Sequence, residues 1–185
     1  MRIIAGTRKG IPLKSIQGTS TRPTSDKVKE SVFNMIGPYF DGGISVELFG
    51  GSGSLSLEAL SRGIDKAYIF EKNTNACAMI KANTEKCRFT EELLIQRTDA
   101  KNAVKLLLTK EEKVKLLFID PPYAETKFYN LAQEFSEAGL LTENAVIVCE
   151  HDKKFGLPES FGTFHKVKSS VYGNSAVSIY EMEVQ

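Results

Sequence analysis

The sequence has little of what most sharply restricts a fold. Its three cysteines, Cys77, Cys87 and Cys149, are odd in number and form no Cys-x-x-Cys pair. A disulfide framework and a zinc ribbon are therefore disfavoured, no metal is expected, and a reducing, cytoplasmic setting fits best. No apolar run approaches the roughly 18–20 residues that span a bilayer, so no membrane partner is expected. Met1-Arg2-Ile3-Ile4-Ala5-Gly6 is too short and too soon broken for a secretion signal. Internal repeats and low-complexity stretches are lacking, and net charge nearly so, at +1.

What is present is an ordinary globular balance. Hydrophobic residues make up 42% and charged residues 25%, which excludes a wholly disordered chain. A length of 185 residues suits one domain with a full core and a small appendage. The near-zero net charge hides an asymmetry. Residues 1–30 hold Arg2, Arg8, Lys9, Lys14, Arg22, Lys27 and Lys29 against Asp26 and Glu30, a segment of +5, leaving −4 for the rest. A basic end on a near-neutral body suggests a localised polyanion contact. A solvated arm without a partner would have the same composition.

Residues 2–5 and 11–16 read as two short strands around the basic turn Gly6-Thr7-Arg8-Lys9-Gly10. Residues 18–25 have loop composition. A helix should start near Thr24 or Ser25 as N-cap, with Asp26 favourable in its first turn. Val28, Val32, Met35 and Ile36 then fall on one face, a core-packing stripe. We expect residues 1–24 to form a basic hairpin-and-loop appendage and 25–185 the main domain.

From residue 44 the pattern becomes strand–helix alternation. Apolar runs at 44–49, 67–70, 93–96, 114–119 and 145–149 are separated by helical segments near 54–62, 74–86, 100–110 and 127–138. Such alternation predicts a parallel sheet wound by right-handed crossovers. The tail departs from it. Runs at 164–171 and 176–184 flank Tyr172-Gly173-Asn174-Ser175, an antiparallel hairpin signal.

The first strand runs into Glu47-Leu48-Phe49-Gly50-Gly51-Ser52-Gly53-Ser54. Glycines let the chain turn tightly and bring backbone N–H groups to a ligand beside a helix N-terminus. The third glycine of a dinucleotide loop is missing, since Ser56 stands there, and no Gly-Lys-Ser/Thr follows. The arrangement Glu47-x-Phe49-x-Gly51-x-Gly53 instead resembles the cofactor loop of class I methyltransferases, and its Phe49 is typical of their amino-methylating branch. Glu71 ends the next strand about 20 residues on, where an acid can accept from both ribose hydroxyls. The alternative is a solvated acid in a Glu-Lys-Asn turn, against which its position directly after a strand speaks for the ribose role. Asp99, followed by Ala100, sits where such folds contact an adenine amino group.

The fourth strand run ends in Asp120-Pro121-Pro122-Tyr123. Consecutive prolines cannot extend a sheet, so the chain leaves the strand along a rigid, extended path. That fixes the Asp120 carboxylate and nearby carbonyls around a small pocket. An exocyclic base amine is a poor nucleophile because its lone pair is delocalised into the ring. Hydrogen bonds from its N–H groups to Asp120 and the Pro121 carbonyl would localise that pair toward a methyl donor. Tyr123 offers a face on which a flipped base can stack. Asp-Pro-Pro also occurs in ordinary turns.

These features match one family in order along nearly the whole chain. They are the basic hairpin, Thr21-Arg22-Pro23-Thr24 with Asp26, Lys29-Glu30 and Phe33-Asn34, Leu57 to Gly63, Asp120 to Tyr123, Glu150-His151 and Tyr172-Gly173. The sequence resembles the bacterial 16S ribosomal RNA guanine-N2 methyltransferases of the RsmD type. The resemblance implies a class I, Rossmann-like α/β fold with a seven-stranded, mostly parallel sheet, a C-terminal antiparallel hairpin and a small N-terminal β-hairpin. It implies S-adenosyl-L-methionine as cofactor, held by Glu47, Phe49, Gly50, Gly51, Ser52, Gly53, Glu71, Asp99 and Ala100. The catalytic set is Asp120, Pro121, Pro122 and Tyr123. Arg8, Lys9, Arg22, Thr24 and Lys29 would bind RNA. The partner implied is 16S rRNA in the small ribosomal subunit or its assembly intermediate, met by a monomer. Two residues depart from the family pattern, Glu47 where Asp is commoner and Gly50 where Ala is commoner.

Three other readings share parts of this pattern. A DNA adenine-N6 methyltransferase uses the same Asp-Pro-Pro-Tyr chemistry but ordinarily needs a separate target-recognition domain. A non-catalytic RNA-binding assembly factor on the same fold would have no need of Asp120. A nicotinamide-dependent oxidoreductase leaves Asp120 to Tyr123 without a role.

Overall fold

The structure is a computed structural model and describes residues 1–15, 25–121 and 126–183. Eight strands form one sheet among these residues. They are β1 (Ile44–Leu48), β2 (Lys66–Phe70), β3 (Leu93–Gln96), β4 (Val114–Ile119), β5 (Leu141–Asp152), β6 (Ser160–Phe161), β7 (Phe164–Tyr172) and β8 (Ser175–Met182). Their order is β3-β2-β1-β4-β5-β8-β7-β6. The first five are parallel and the last three antiparallel. The expected seven strands become eight because Ser160–Phe161 pairs with the start of β7. The strand order reverses between β1 and β4, so their carboxyl ends open the crevice where such sheets bind ligands.

The helices are α1 (Asp26–Ile36), α2 (Ser54–Ser61), α3 (Thr74–Lys86), α4 (Ala103–Lys110) and α5 (Asn130–Glu137). Ser25 caps α1 by accepting from the Val28 N–H, with Asp26 in the first turn. The expected helices at 100–110 and 127–138 each begin with a short 3-10 turn, Ala100–Asn102 and Thr126–Tyr129.

Both faces of the sheet are covered, so the parallel strands read as nearly continuous apolar runs. One face packs Val46, Leu48, Phe70, Leu117 and Ile119 against Leu107 and Phe135 of α4 and α5. The other packs Ile69, Leu116, Phe118 and Val148 against Val32, Phe33, Leu57 and Ile80 of α1 to α3. Ile3 and Leu13 from the N-terminal segment are buried in this second core.

The N-terminal segment holds a hairpin with less ladder than expected. Arg2 and Pro12 form a single antiparallel bridge. Three further bonds close it, Ile3 N–H to Ile11 O, Gly10 N–H to Ile3 O and Leu13 N–H to Met1 O. Pro12 has no N–H to give, which interrupts a regular strand pair. The Glu58 carboxylate of α2 accepts from the Ile4 and Ala5 N–H groups, at 2.9 and 3.1 Å.

Candidate active site

The site is built where β1, β2, β3, β4 and β5 end. Alternation along a strand decides which side chains meet there. Val46 and Leu48 face the α4–α5 core, so Glu47 between them turns to the α2 side. By the same parity Asp120, after Ile119, and Glu150, after Cys149, share that side. Ile119 pairs with Cys149 in the β4–β5 ladder, which sets Asp120 and Glu150 next to each other. Their carboxyl groups are within interaction distance, and Glu47 adds its field from β1.

Three carboxyl groups thus converge on one small, partly desolvated space. Burial raises Asp120 well above the ordinary carboxylate value, with the charges of Glu150 and then Glu47 adding to it. Glu47 is 5% exposed. Burial pushes it up to about 8, although its Oε1 accepts from the Ser56 Oγ–H at 2.6 Å and the Ser56 N–H at 3.2 Å. Two hydrogen bonds do not replace the water that a buried carboxylate loses.

The glycine loop lies beside these acids. Phe49 holds a left-handed backbone, φ 65°, which is costly for a residue with a Cβ. Its N–H donates to Phe70 O, and its ring stands edge-on to Phe128 at 5.0 Å between centroids. Gly50 answers one departure from the family pattern. A Cβ there would lie 2.1 Å from Ile69 Cγ2, so this chain's Ile69 occupies the space of an alanine methyl. Gly51 is different: φ is +54° and a Cβ would meet nothing within 4 Å, leaving its outer side open. Gly53, also left-handed, leads directly into α2. Ser52 O accepts from Asn83 Nδ2 at 2.9 Å, and Asn83 also grips Lys14 through both its backbone N–H and carbonyl. This anchor on α3 was not read from the sequence, because a buried Asn on a helix has no periodic signature.

Glu71 follows β2 and its Oε1 accepts from the Gly51 N–H at 3.3 Å. Asp99 follows β3 and caps the turn at Ala100 by accepting from the Lys101 N–H; Ala100 is buried. Pro121 is buried at the exit of β4. Pro122, Tyr123, Arg22 and Thr24 lie outside the described residues.

Two of the residues expected on RNA have other partners. Lys29 is fully buried, its Nζ 2.6 Å from Arg2 O, 2.9 Å from Ser54 Oγ and 3.3 Å from Glu58 Oε1. It is corrected to a packing residue, since an ammonium enclosed by three protein oxygens has no face to offer a phosphate. Arg8 donates through Nε to Cys87 O at 2.6 Å and stacks on Phe89, 4.4 Å from the ring centre. It pins the hairpin to the body. Lys9 is exposed at the tip.

Glu150 is part of the family pattern but not of the site expected from the sequence. An acid at the carboxyl end of the fifth strand run was the available signal. Tyr129 Oη donates to the Glu150 carbonyl at 2.5 Å, which fixes the backbone there. His151 bonds Ser178 Oγ through Nε2 at 2.9 Å and meets Tyr129 edge-on, a satisfied polar group.

Comparison with known proteins identifies the family. A family described as Conserved hypothetical protein 95 matches residues 1–181. A Bacillus subtilis protein named "Putative rRNA methyltransferase YlbH" is 43% identical over 181 residues, covering 98% of each chain. The Escherichia coli protein named "Ribosomal RNA small subunit methyltransferase D" is 28% identical over 185 residues, covering 100% of this chain and 91% of that one. A solved Streptococcus pyogenes structure, described as a conserved hypothetical protein, superposes with a TM-score of 0.79 at 37% identity. It covers 84% of this chain and 96% of its own. With a family match over nearly all its length and these relatives, the chain belongs to the Conserved hypothetical protein 95 family, that of the RsmD-type ribosomal RNA methyltransferases.

Proposed function

We propose that this protein uses S-adenosyl-L-methionine to methylate the exocyclic N2 amine of a guanine in 16S rRNA, on the small ribosomal subunit or its assembly intermediate. One observation carries the reading: Asp120 directly follows β4, which pairs with β1, whose end becomes the glycine loop. The neighbouring ends of these two paired strands support reading the glycine loop as the cofactor site and Asp120 as the acid that binds the amine.

The residues present fit this cofactor. Gly51 leaves open space outside the loop, and the N-terminus of α2 begins just beyond it. Glu71 and Asp99 stand at the next two strand ends to take ribose hydroxyls and an adenine amine. Glu47 is a buried acid near the loop, and a neighbouring cation would stabilise its ionised form. When bound, the cofactor supplies an electrophilic methyl group on a positively charged sulfur.

Asp120 and the Pro121 carbonyl accept from the two N–H bonds of the guanine amine. This turns the nitrogen lone pair out of conjugation and toward the methyl. Tyr123 stacks on the flipped base. The exposed Lys9, with Arg22 and Thr24, contacts RNA phosphates, and Arg8 holds the hairpin in place. The protein acts as a monomer in the cytoplasm, residues 1–24 serving as the RNA-binding appendage to a catalytic domain of residues 25–185.

The test supplies methyl-labelled cofactor with naked 16S rRNA, small ribosomal subunits and duplex DNA, and maps the labelled base. Label in N2-methylguanine of the rRNA supports the reading. Label on an adenine, on DNA or nowhere overturns it.

A further inference from the structure

Methylation of an amine releases a proton, which a nearby group must take up. The N2 lone pair forms the bond to the methyl carbon while the carbon–sulfur bond breaks, its electron pair staying on sulfur. The nitrogen then has one hydrogen too many for a neutral methylamine. That proton must leave through a group already bonded to the amine. Resting on the methyl-transfer reading above, we propose that Glu150 is a positioning residue of the acceptor site. It holds Asp120 beside the guanine amine and shares with Asp120 the proton that the amine loses.

Three features of the structure converge on this role. The β4–β5 register brings Asp120 and Glu150 side by side at adjacent parallel strand ends. Their carboxyl groups lie within hydrogen-bonding reach of each other, so a single proton can be held between them. The Glu150 backbone is clamped by the Tyr129 hydroxyl, and the neighbouring His151 by Ser178. A surface acid would need no such support.

The groups facing Asp120 among the described residues all favour proton uptake. Glu47 comes from β1 and Glu150 from β5, while Tyr129 is itself raised by burial and then by the Asp120 charge. Cys149, buried in the opposite core, is raised by burial and stays neutral. A carboxylate placed among acids and a neutral phenol binds a proton more readily than one in water. Once methyl transfer is complete, the shared proton passes to solvent as product leaves.

The experiment compares wild type with Glu150→Gln and Glu150→Asp in single turnovers across pH, with labelled cofactor and small ribosomal subunits. Wild type should lose rate below an acid limb set by the pair. Glu150→Gln removes the neighbouring charge, so the limb should move to lower pH by a unit or more while the plateau falls at least tenfold. Glu150→Asp keeps the charge and should keep the limb near wild type. In parallel, carbon-13 NMR follows the Asp120 carboxyl in cofactor-free protein. It should titrate at lower pH in Glu150→Gln, and the Glu150 carboxyl should do so in Asp120→Asn. Wild-type guanine methylation with an unmoved limb, or unmoved carboxyl titrations, overturns the pairing. Absence of any methylation by wild type would instead sink the methyl-transfer reading, while the titrations still report on the pair.

Discussion

The Lys29 ammonium lies 3.3 Å from the Glu58 carboxylate, with both side chains wholly shut off from water. Glu58 is shared further: Arg62 donates to its second oxygen at 2.7 Å, and the Ile4 and Ala5 N–H groups reach it from the N-terminal segment. Arg62 in turn stacks on Phe33, 4.9 Å from the ring centre. One buried acid therefore ties the hairpin, α1 and α2 together directly beneath the glycine loop. Burial drives the Lys29 pKa down while Glu58 opposes it, so the pair is held by geometry and by complete satisfaction of its atoms.

Removing Glu58 would leave two buried cations and two backbone donors without their partner. Breaking such a pair from one side costs about 3–5 kcal/mol. Glu58→Ala should lower unfolding free energy by that order in urea titrations. A loss near the size of a surface mutation would mean that water enters and takes over the role.

Lys29 also shows where sequence reading runs out. A lysine in a +5 segment is ordinarily solvated, and its partner Glu58 is 29 positions away with no pattern linking them. The sheet was legible for the opposite reason. β3 and β4 match their apolar runs residue for residue, because strands buried on both faces admit almost no polar residue. Glycine loop and Asp120 were legible because each sits at the end of such a run. Glu150 was not, since β5 continues three residues past the end of its apolar run, to Asp152, and only pairing with β4 reveals what it faces.

Asp120→Ala should retain cofactor binding and lose methyl transfer by on the order of a hundredfold or more, the usual effect of removing one preorganised group at developing charge. Equilibrium binding of cofactor and single-turnover rates measured on the same preparation separate the two. Unchanged turnover would eliminate the proposed mechanism.

The hairpin tip makes a prediction in salt. Lys9→Ala should weaken RNA binding and reduce the slope of log K against log salt by about one. Arg8→Ala should in addition lower stability, because Arg8 is bonded to Cys87 O and stacked on Phe89. A salt series with 16S rRNA checks both. An unchanged slope for Lys9→Ala would take the tip out of the interface.

Glu47 links stability to pH. It titrates near 4.5 when solvated and at about 8 in the fold. The folded state therefore binds the proton more tightly, and the stability it contributes is present at low pH and lost as pH rises through about 8. Glu47→Gln should flatten that decline in thermal melts of cofactor-free protein. Wild-type affinity for the cationic cofactor should instead rise over the same range, as the ionised acid becomes available. Melts of the variant that track wild type across this window would exclude Glu47 as the titrating group.

The Gly50–Ile69 contact can be tested by exchange. Gly50→Ala places a methyl 2.1 Å from Ile69 Cγ2, and overpacking of this kind costs typically about 1–3 kcal/mol. Ile69 lies within the sheet core with no exposed surface, so it cannot swing aside. Ile69→Ala alone should also destabilise, by opening a cavity. The double variant Gly50→Ala with Ile69→Ala should be less destabilised than the sum, because the second change removes the methyl that the first strikes. Strict additivity in a denaturation cycle would show that the loop backbone shifts to accept the alanine. The glycine would then owe its place to something other than Ile69.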